Sequence, residues 1–239
     1  MAPRCRAGEP DVLVALTREG GHNEELRQWV GARADVVEVP LTATSYRATE
    51  DVDADVRESG YFGRFRTLVV TSARAARYAG VARRALDEPH VVASVGEATT
   101  RSLEALGLGV DVESTGGAKD LASSISDGPV LLLGAVGGRD ELITALRSRG
   151  VVSVVVPCYA TRALTLEAGA RDHLRRADVV FIGAPSAWRA AREFVGSHAW
   201  VLVPGETTFE EVRRGHERVV VGWGDAFAPA WDLIDRSRH

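Results

Sequence analysis

Cysteine, lysine and methionine are all scarce in this chain. Cys5 and Cys158 are the only cysteines among 239 residues, which excludes a disulfide framework and a cysteine-built zinc site. Lys119 is the sole lysine, so nearly every basic residue is arginine, and the net charge of −4 argues mildly against nucleic-acid binding. The acidic residues are spread along the chain, which still leaves room for local basic pockets. No apolar run is long enough to span a membrane, and the opening MAPRCRAGEP lacks the apolar stretch of a signal peptide. A cytoplasmic, reducing setting is the resulting expectation. The six histidines are scattered without HxxxH or HExxH spacing. No strand is followed by GxGxxG, no GxSxG elbow occurs, and the glycine-rich GAVGGRDE lacks the Lys-Ser/Thr of a P-loop. Nothing marks a nucleophile, a metal site or a nucleotide, and no cofactor is expected. An enzyme made from this chain would work by shaping and polarising its substrate.

What is present is a repetition. VLVALTREGG from Val12 is echoed by VLLLGAVGGR from Val130, LVVTSARAA from Leu68 by VVFIGAPSAW from Val179, and VASVGEATT from Val92 by VLVPGETTF from Val201. The order is kept, and the spacing stays near 110 to 118 residues. A duplication of this kind yields two similar domains, and a cleft between two domains is a natural binding site.

Short aliphatic runs predict buried parallel strands at Val12–Leu16, Val36–Val39, Leu68–Thr71, Val91–Ser94, Val130–Leu133, Val151–Val156, Val179–Ile182, Trp200–Val203 and Arg218–Val221. Helical spacing lies between them. Leu26, Trp29 and Val30 share a face, as do Leu142, Ile143 and Leu146, while Leu103 and Leu106 close a helix before Gly107. Such alternation predicts an α/β protein of βαβ units with parallel sheets. The prolines in Val39-Pro40-Leu41 and Val156-Pro157-Cys158-Tyr159 fall at equivalent points of the two repeats, and a proline forbids central strand pairing. Two crossings there predict a discontinuous domain of residues 1–39 plus 160–239, a second domain of 43–155, and linkers at 40–42 and 156–159. One continuous sheet with two edge prolines is the alternative.

Ligands of open parallel sheets bind beyond the carboxyl ends of the strands. The loops there are Thr17–Gly21, Thr71–Arg74, Gly96–Thr100, Gly134–Arg139, Gly183–Ser186 and Gly205–Thr208, all rich in Gly, Ser or Thr and mostly leading into helices. Helix starts present unpaired N–H groups and partial positive charge, which suit carboxylate or phosphate. The alternative for Ser72, Thr99, Ser186 and Thr207 is plain N-capping.

Taken together, these segments resemble uroporphyrinogen-III synthases over about Val12 to Val221. The Thr17-Arg18 turn, the Pro40-Leu41 crossover, VVTSARAA, SVGEAT, GRDEL, VPCYAT and PGETT carry the resemblance. It implies two flavodoxin-like domains joined by a two-stranded linker. It also implies a cofactor-free lyase that closes hydroxymethylbilane, a linear tetrapyrrole with eight carboxylates, while inverting ring D through a spiro intermediate. On the resemblance, Tyr159 is the catalytic residue, donating a proton to the departing hydroxyl. Arg18, Ser72, Ala73, Arg74, Thr99, Arg139, Ser186, Thr207 and Thr208 are the substrate-binding residues. The implied partners are the linear tetrapyrrole and, transiently, hydroxymethylbilane synthase, with no nucleic acid and no membrane; a monomer is the default. Two departures stand out. Gly183-Ala184-Pro185-Ser186 replaces the family's Thr-Ser-Pro-Ser, and an arginine often found near Gly134–Val136 is missing. The alternative function is a non-catalytic paralogue that holds a tetrapyrrole or other polyanion as sensor or carrier.

Overall fold

A computed structural model describes residues 12–114, 118–126, 128–138 and 140–237. The chain divides into two compact units, one running up to Ala43 and resuming at Arg162, the other spanning Thr44–Thr161. The first unit opens with β1 (Leu13–Leu16), α1 (Glu24–Val30) and β2 (Asp35–Glu38). The second contains β3 (Thr42–Tyr46), α2 (Thr49–Glu58), β4 (Phe65–Val70), α3 (Ala73–Ala76), α4 (Ala79–Arg83) and β5 (Leu86–Val95). It continues through α5 (Glu97–Glu104), β6 (Val112–Ser114), α6 (Ala118–Ser124), β7 (Val130–Ala135), α7 (Asp140–Ser148) and β8 (Ser153–Ala163). The first unit then resumes with α8 (Ala168–Arg176), β9 (Val179–Phe181), α9 (Pro185–Ala191), β10 (Trp200–Val203), α10 (Glu206–Arg213), β11 (Val219–Val221) and α11 (Phe227–Arg236).

The first sheet has the order β2-β1-β9-β10-β11, all parallel, and the second β3-β8-β7-β4-β5-β6, parallel from β8 to β6. In each unit the strand matching the first segment of a repeat, β1 or β7, lies inside the sheet, beside the strand that follows it in the chain. Counted within the first unit, the order is 2-1-3-4-5, the flavodoxin order. The second sheet has the same order once β7 is counted as its first strand and β3 is set aside. The repeat explains this. β1 and β2 correspond to β7 and β8, and β4 and β5 correspond to β9 and β10. Each unit therefore takes its first two strands from one repeat and its remaining parallel strands from the other.

Both faces of each sheet are covered, which is why the strands read as unbroken aliphatic runs rather than alternating ones. In the second unit Leu68, Val70, Leu131 and Leu133 pack on one face against Phe65, Val52 and Val56, while Val69, Val130 and Leu132 pack on the other against Leu121, Leu142 and Leu146. In the first unit Ala15, Val180, Val201 and Val203 face Trp188 and Leu174, and Leu16, Phe181 and Leu202 face Leu26, Phe227 and Trp231.

The nine predicted strands all form, and two more appear. β3 is a polar edge strand, TATSY, and β6 has only three residues; neither carries an aliphatic run. Pro157 does not end its strand, contrary to the expectation from sequence. β8 runs on to Ala163, and its register against β7 slips from Gly134↔Pro157 to Ala135↔Tyr159, leaving Cys158 as the extra residue of a bulge. A bulge tolerates a residue without an N–H. Arg47 braces it, donating from Nη1 to the Pro157 carbonyl at 3.0 Å and from its backbone N–H to the Cys158 carbonyl at 3.0 Å. Residues 156–159 thus lie within the second sheet. Leu103 is buried as expected, but Leu106 lies past the end of α5 and is 59% exposed. Gly107, at φ 76°, turns the chain away there, and Leu108 N–H closes back on the Leu103 carbonyl.

Candidate functional site

The carboxyl ends of β4 and β7 meet the middle of β8, where its pairing with β7 ends. A cavity of about 550 Å³ opens over them. Thr71, Gly134, Val136, Pro157 and Tyr159 line it together with the apolar Leu132, Leu142, Ile143 and Val155. The lining is closely built. Thr71 Oγ1 donates to the Leu133 carbonyl at 3.1 Å, and a Cβ on residue 134 would stand 2.8 Å from that oxygen. Glycine at 134 leaves room for the Thr71 hydroxyl between the two strand ends. The first unit has a counterpart, Thr17 Oγ1 donating to the Phe181 carbonyl at 2.5 Å. In both units a threonine ties the ends of the same two central strands.

Tyr159 is one of the lining residues, 7% exposed, with its hydroxyl 2.9 Å from Ser72 Oγ. Its own carbonyl accepts the Val136 N–H at 2.7 Å. Ser72 is the N-cap of α3, and its Oγ already accepts the Ala75 N–H. Either hydroxyl can donate to the other; with Ser72 as the donor, the phenol hydrogen is left for a third group.

The other sequence-derived candidates fall in several places. Arg74 lies in the first turn of α3, half-buried, and Ala73 beside it is exposed. Thr99 is inside α5, buried, with its hydroxyl donating to the Val95 carbonyl at 3.0 Å. That bond makes Thr99 a lock between β5 and α5. In the first unit Arg18 lies over the Trp223 ring, 5.1 Å from its centroid. Ser186 is exposed in the first turn of α9, and Thr207 is exposed in the first turn of α10 beside buried Thr208. Arg139 lies outside the described residues. The structure thus brings Ser72 and Tyr159 together within the second unit, with Ala73 and Arg74 following Ser72 in α3, and sets Arg18, Ser186, Thr207 and Thr208 in the first.

N-capping accounts for Ser72 alone. The N-caps of α5, α9 and α10 are Gly96, Ala184 and Gly205, none with a side-chain cap bond. Thr99 N–H and Thr208 N–H turn back to the carbonyls of Gly96 and Gly205, and Pro185 brings no N–H to α9; the other first-turn N–H groups suit an acceptor from outside, with the helix dipole behind them.

Sequence reasoning missed Tyr46. It sits in the edge strand β3, which runs antiparallel to β8: Ser45 Oγ donates to the Ala160 carbonyl, and Arg47 N–H to that of Cys158. Its ring centroid is 6.2 Å from that of Tyr159. No motif marks it; the polar stretch TATSY would have had to be recognised as a strand first.

Cys158 is adjacent to Tyr159 in sequence and unlike it in character. It is 0% exposed, and burial pushes its thiol up to about 12. A raised thiol favours the folded state below the ordinary range of about 8.5, and this contribution is lost as pH climbs towards the folded value. In a Cys5→Ser variant, whose sole thiol is Cys158, iodoacetamide at pH 8 is expected to label nothing until denaturant is added. Stoichiometric labelling of the native protein would contradict the burial. Among the described residues, no cluster of His, Cys, Asp and Glu is arranged to hold a metal ion, and no helix is long and apolar enough to cross a membrane.

Comparison with known proteins bears on this geometry. The family model described as uroporphyrinogen-III synthase HemD matches residues 27–221. No curated protein sequence matches the chain. Among solved structures, a mutant uroporphyrinogen III synthase from the extremely thermophilic bacterium Thermus thermophilus is similar with a TM-score of 0.66 at 15% identity, over 95% of this chain and 98% of that one. Uroporphyrinogen-III synthetase from Helicobacter pylori is similar with a TM-score of 0.60 at 14% identity, over 95% and 100%. At these identities the structural likeness speaks for the two-domain fold.

Proposed function

Because the chain belongs to the uroporphyrinogen-III synthase family, an enzyme family of tetrapyrrole synthesis, we propose that it closes hydroxymethylbilane into uroporphyrinogen III with Tyr159 as its proton donor. The observation that carries the assignment of Tyr159 is its hydroxyl, 2.9 Å from Ser72 Oγ, on a tyrosine that lines a mostly apolar cavity. In the reaction the terminal hydroxyl takes a proton from Tyr159 and leaves as water, with the pyrrole nitrogen's electron pair driving the C–O bond apart. The azafulvene is attacked by ring D at its substituted position, giving the spiro intermediate. One bond of that spiro centre then breaks and re-forms at the free position, and the proton lost on re-aromatisation restores the phenol. Atoms balance as substrate to product plus water.

The demand on the protein is positional, since the free substrate closes without inversion. The helix starts at Gly96, Ala184 and Gly205 suit the carboxylates, and the apolar wall of the cavity suits a pyrrole face. Arg18, Ala73, Arg74, Thr99, Arg139, Ser186, Thr207 and Thr208 belong to the same proposal as substrate-binding positions, Thr99 through the backbone of its turn, because its hydroxyl is occupied. The protein works as a cytoplasmic monomer, receiving substrate from hydroxymethylbilane synthase.

The test is isomer analysis. Freshly made hydroxymethylbilane is supplied, and the oxidised products are separated into type I and type III uroporphyrin. Type III scaling with protein concentration is the expected result; type I alone, at the spontaneous rate, would overturn the reading and favour a binding paralogue. Ser72→Ala is expected to lower kcat roughly 3- to 10-fold, the worth of one net hydrogen bond, with KM little changed. A rise in KM at constant kcat would instead make Ser72 a simple carboxylate ligand.

A further inference from the structure

One guanidinium of the second unit is left without a role by everything above. Arg77 follows α3, the short helix that Ser72 caps, and its side chain is exposed. Several arginines of this unit stand within ion-pair distance of an aspartate: Arg47 with Asp55, Arg57 and Arg84 with Asp53, and Arg66 with Asp87. Arg77 instead lies over aromatic faces, its guanidinium carbon 4.4 Å from the centroid of Tyr46 and 5.8 Å from that of Tyr78.

The supports of this seat are themselves fixed. Tyr78 is buried, and its hydroxyl donates to the Arg47 carbonyl at 2.6 Å. Tyr46 is 40% exposed, a large ring left open at a sheet edge, and it stands beside Tyr159 across β3 and β8. A guanidinium stacked on a ring satisfies its face and leaves the in-plane N–H fork pointing outward, the geometry that grips a carboxylate through two parallel bonds. The stack also removes rotamer freedom before any ligand arrives, so less is lost on binding.

We propose that Arg77, seated on Tyr46, is an anchoring site for one acetate or propionate carboxylate of the linear tetrapyrrole, two ring contacts away from Tyr159. The inference rests on the ring-closing reading for the identity of the ligand. Its chemistry, a bidentate carboxylate site built from an arginine and a tyrosine, is independent of turnover. Anchoring a side chain here would hold one pyrrole of the flexible substrate beside the proton donor, so Arg77 is a binding residue and Tyr46 its positioning partner.

The experiment is equilibrium binding of uroporphyrin III, a stable octacarboxylate, followed by its fluorescence. Arg77→Gln is expected to weaken Kd about 10- to 100-fold, the worth of a charge-assisted pair. Arg77→Lys recovers part of the loss, and Tyr46→Leu, which keeps the arginine and removes its seat, gives a smaller weakening. Thermal midpoints of the variants within a few degrees of wild type exclude a folding defect. With hydroxymethylbilane the Arg77→Gln effect appears in KM, with kcat close to wild type. A wild-type Kd in Arg77→Gln, or no saturable binding by the wild-type chain, overturns the inference. Type I product alone from a wild-type chain that still shows Arg77-dependent binding would instead sink the catalytic reading and leave the carboxylate site standing.

Discussion

Replacing Tyr159 by phenylalanine is expected to cut turnover by roughly 10²- to 10⁴-fold, the range of a lost general acid. The reason lies in what the change removes and what it spares. The ring is nearly buried and packs in the main core of the second unit, and phenylalanine keeps that packing. Ser72 still accepts the Ala75 N–H, so the start of α3 is undisturbed. Only the hydroxyl is lost, and with it the proton that the departing oxygen needs. Uroporphyrin III should bind the variant with nearly wild-type affinity, and the thermal midpoint should stay within a few degrees. Residual product should drift towards type I, because spontaneous closure then competes with the enzyme. Wild-type turnover in the variant would take Tyr159 out of the chemistry altogether. A Ser72→Ala, Tyr159→Phe double variant separates the roles further: if Ser72 acts through Tyr159, the two losses do not add.

Leu131→Ala should lower stability by about 2–5 kcal/mol, a large share of the roughly 5–15 kcal/mol that holds a domain together. Leu131 is 0% exposed in β7, between β4 and β8, and lies in the core with Phe65, Leu68 and Val156. The aromatic residues make the effect readable unit by unit. All five tryptophans, Trp29, Trp188, Trp200, Trp223 and Trp231, belong to the first unit, and all four tyrosines, Tyr46, Tyr61, Tyr78 and Tyr159, to the second. Urea unfolding followed by tyrosine absorbance should shift to lower denaturant in Leu131→Ala, while tryptophan fluorescence keeps its wild-type midpoint. Equal shifts in both signals would mean that the two units unfold as one.

The discontinuous arrangement is legible in the sequence because the duplication preserved segment order. Val12 and Val130 open equivalent strands, and the strand order around each of them is the same. Alternation of aliphatic runs with helical spacing follows from burial on both faces of a parallel sheet, a constraint that each strand meets with its own residues. The loops at the carboxyl ends of the strands could also be named in advance, since a parallel sheet allows no other place for them. Pro157 was read too simply. A missing N–H forbids a regular ladder, but it does not forbid a bulge, and the bulge depends on Gly134, Ala135 and Arg47, which lie far away in the chain.

The roles within the site were less visible. Ser72 and Thr99 look alike as hydroxyls near helix starts. One caps its helix and meets Tyr159; the other sits a turn inside and bonds back to Val95. Three residues of register, from the N-cap to the third helical position, decide between these outcomes, and composition does not encode register at that resolution.

By itself, then, the sequence determined the α/β class, the parallel strands and the two-fold repetition, because each depends on local burial or on order along the chain. Only the tertiary structure decided that Tyr159 faces Ser72, that Tyr46 stands beside it and that Arg77 lies on Tyr46. Those contacts join β3, α3 and β8, which are far apart in sequence, and a pairing between distant segments is set by packing rather than by any residue's own preference.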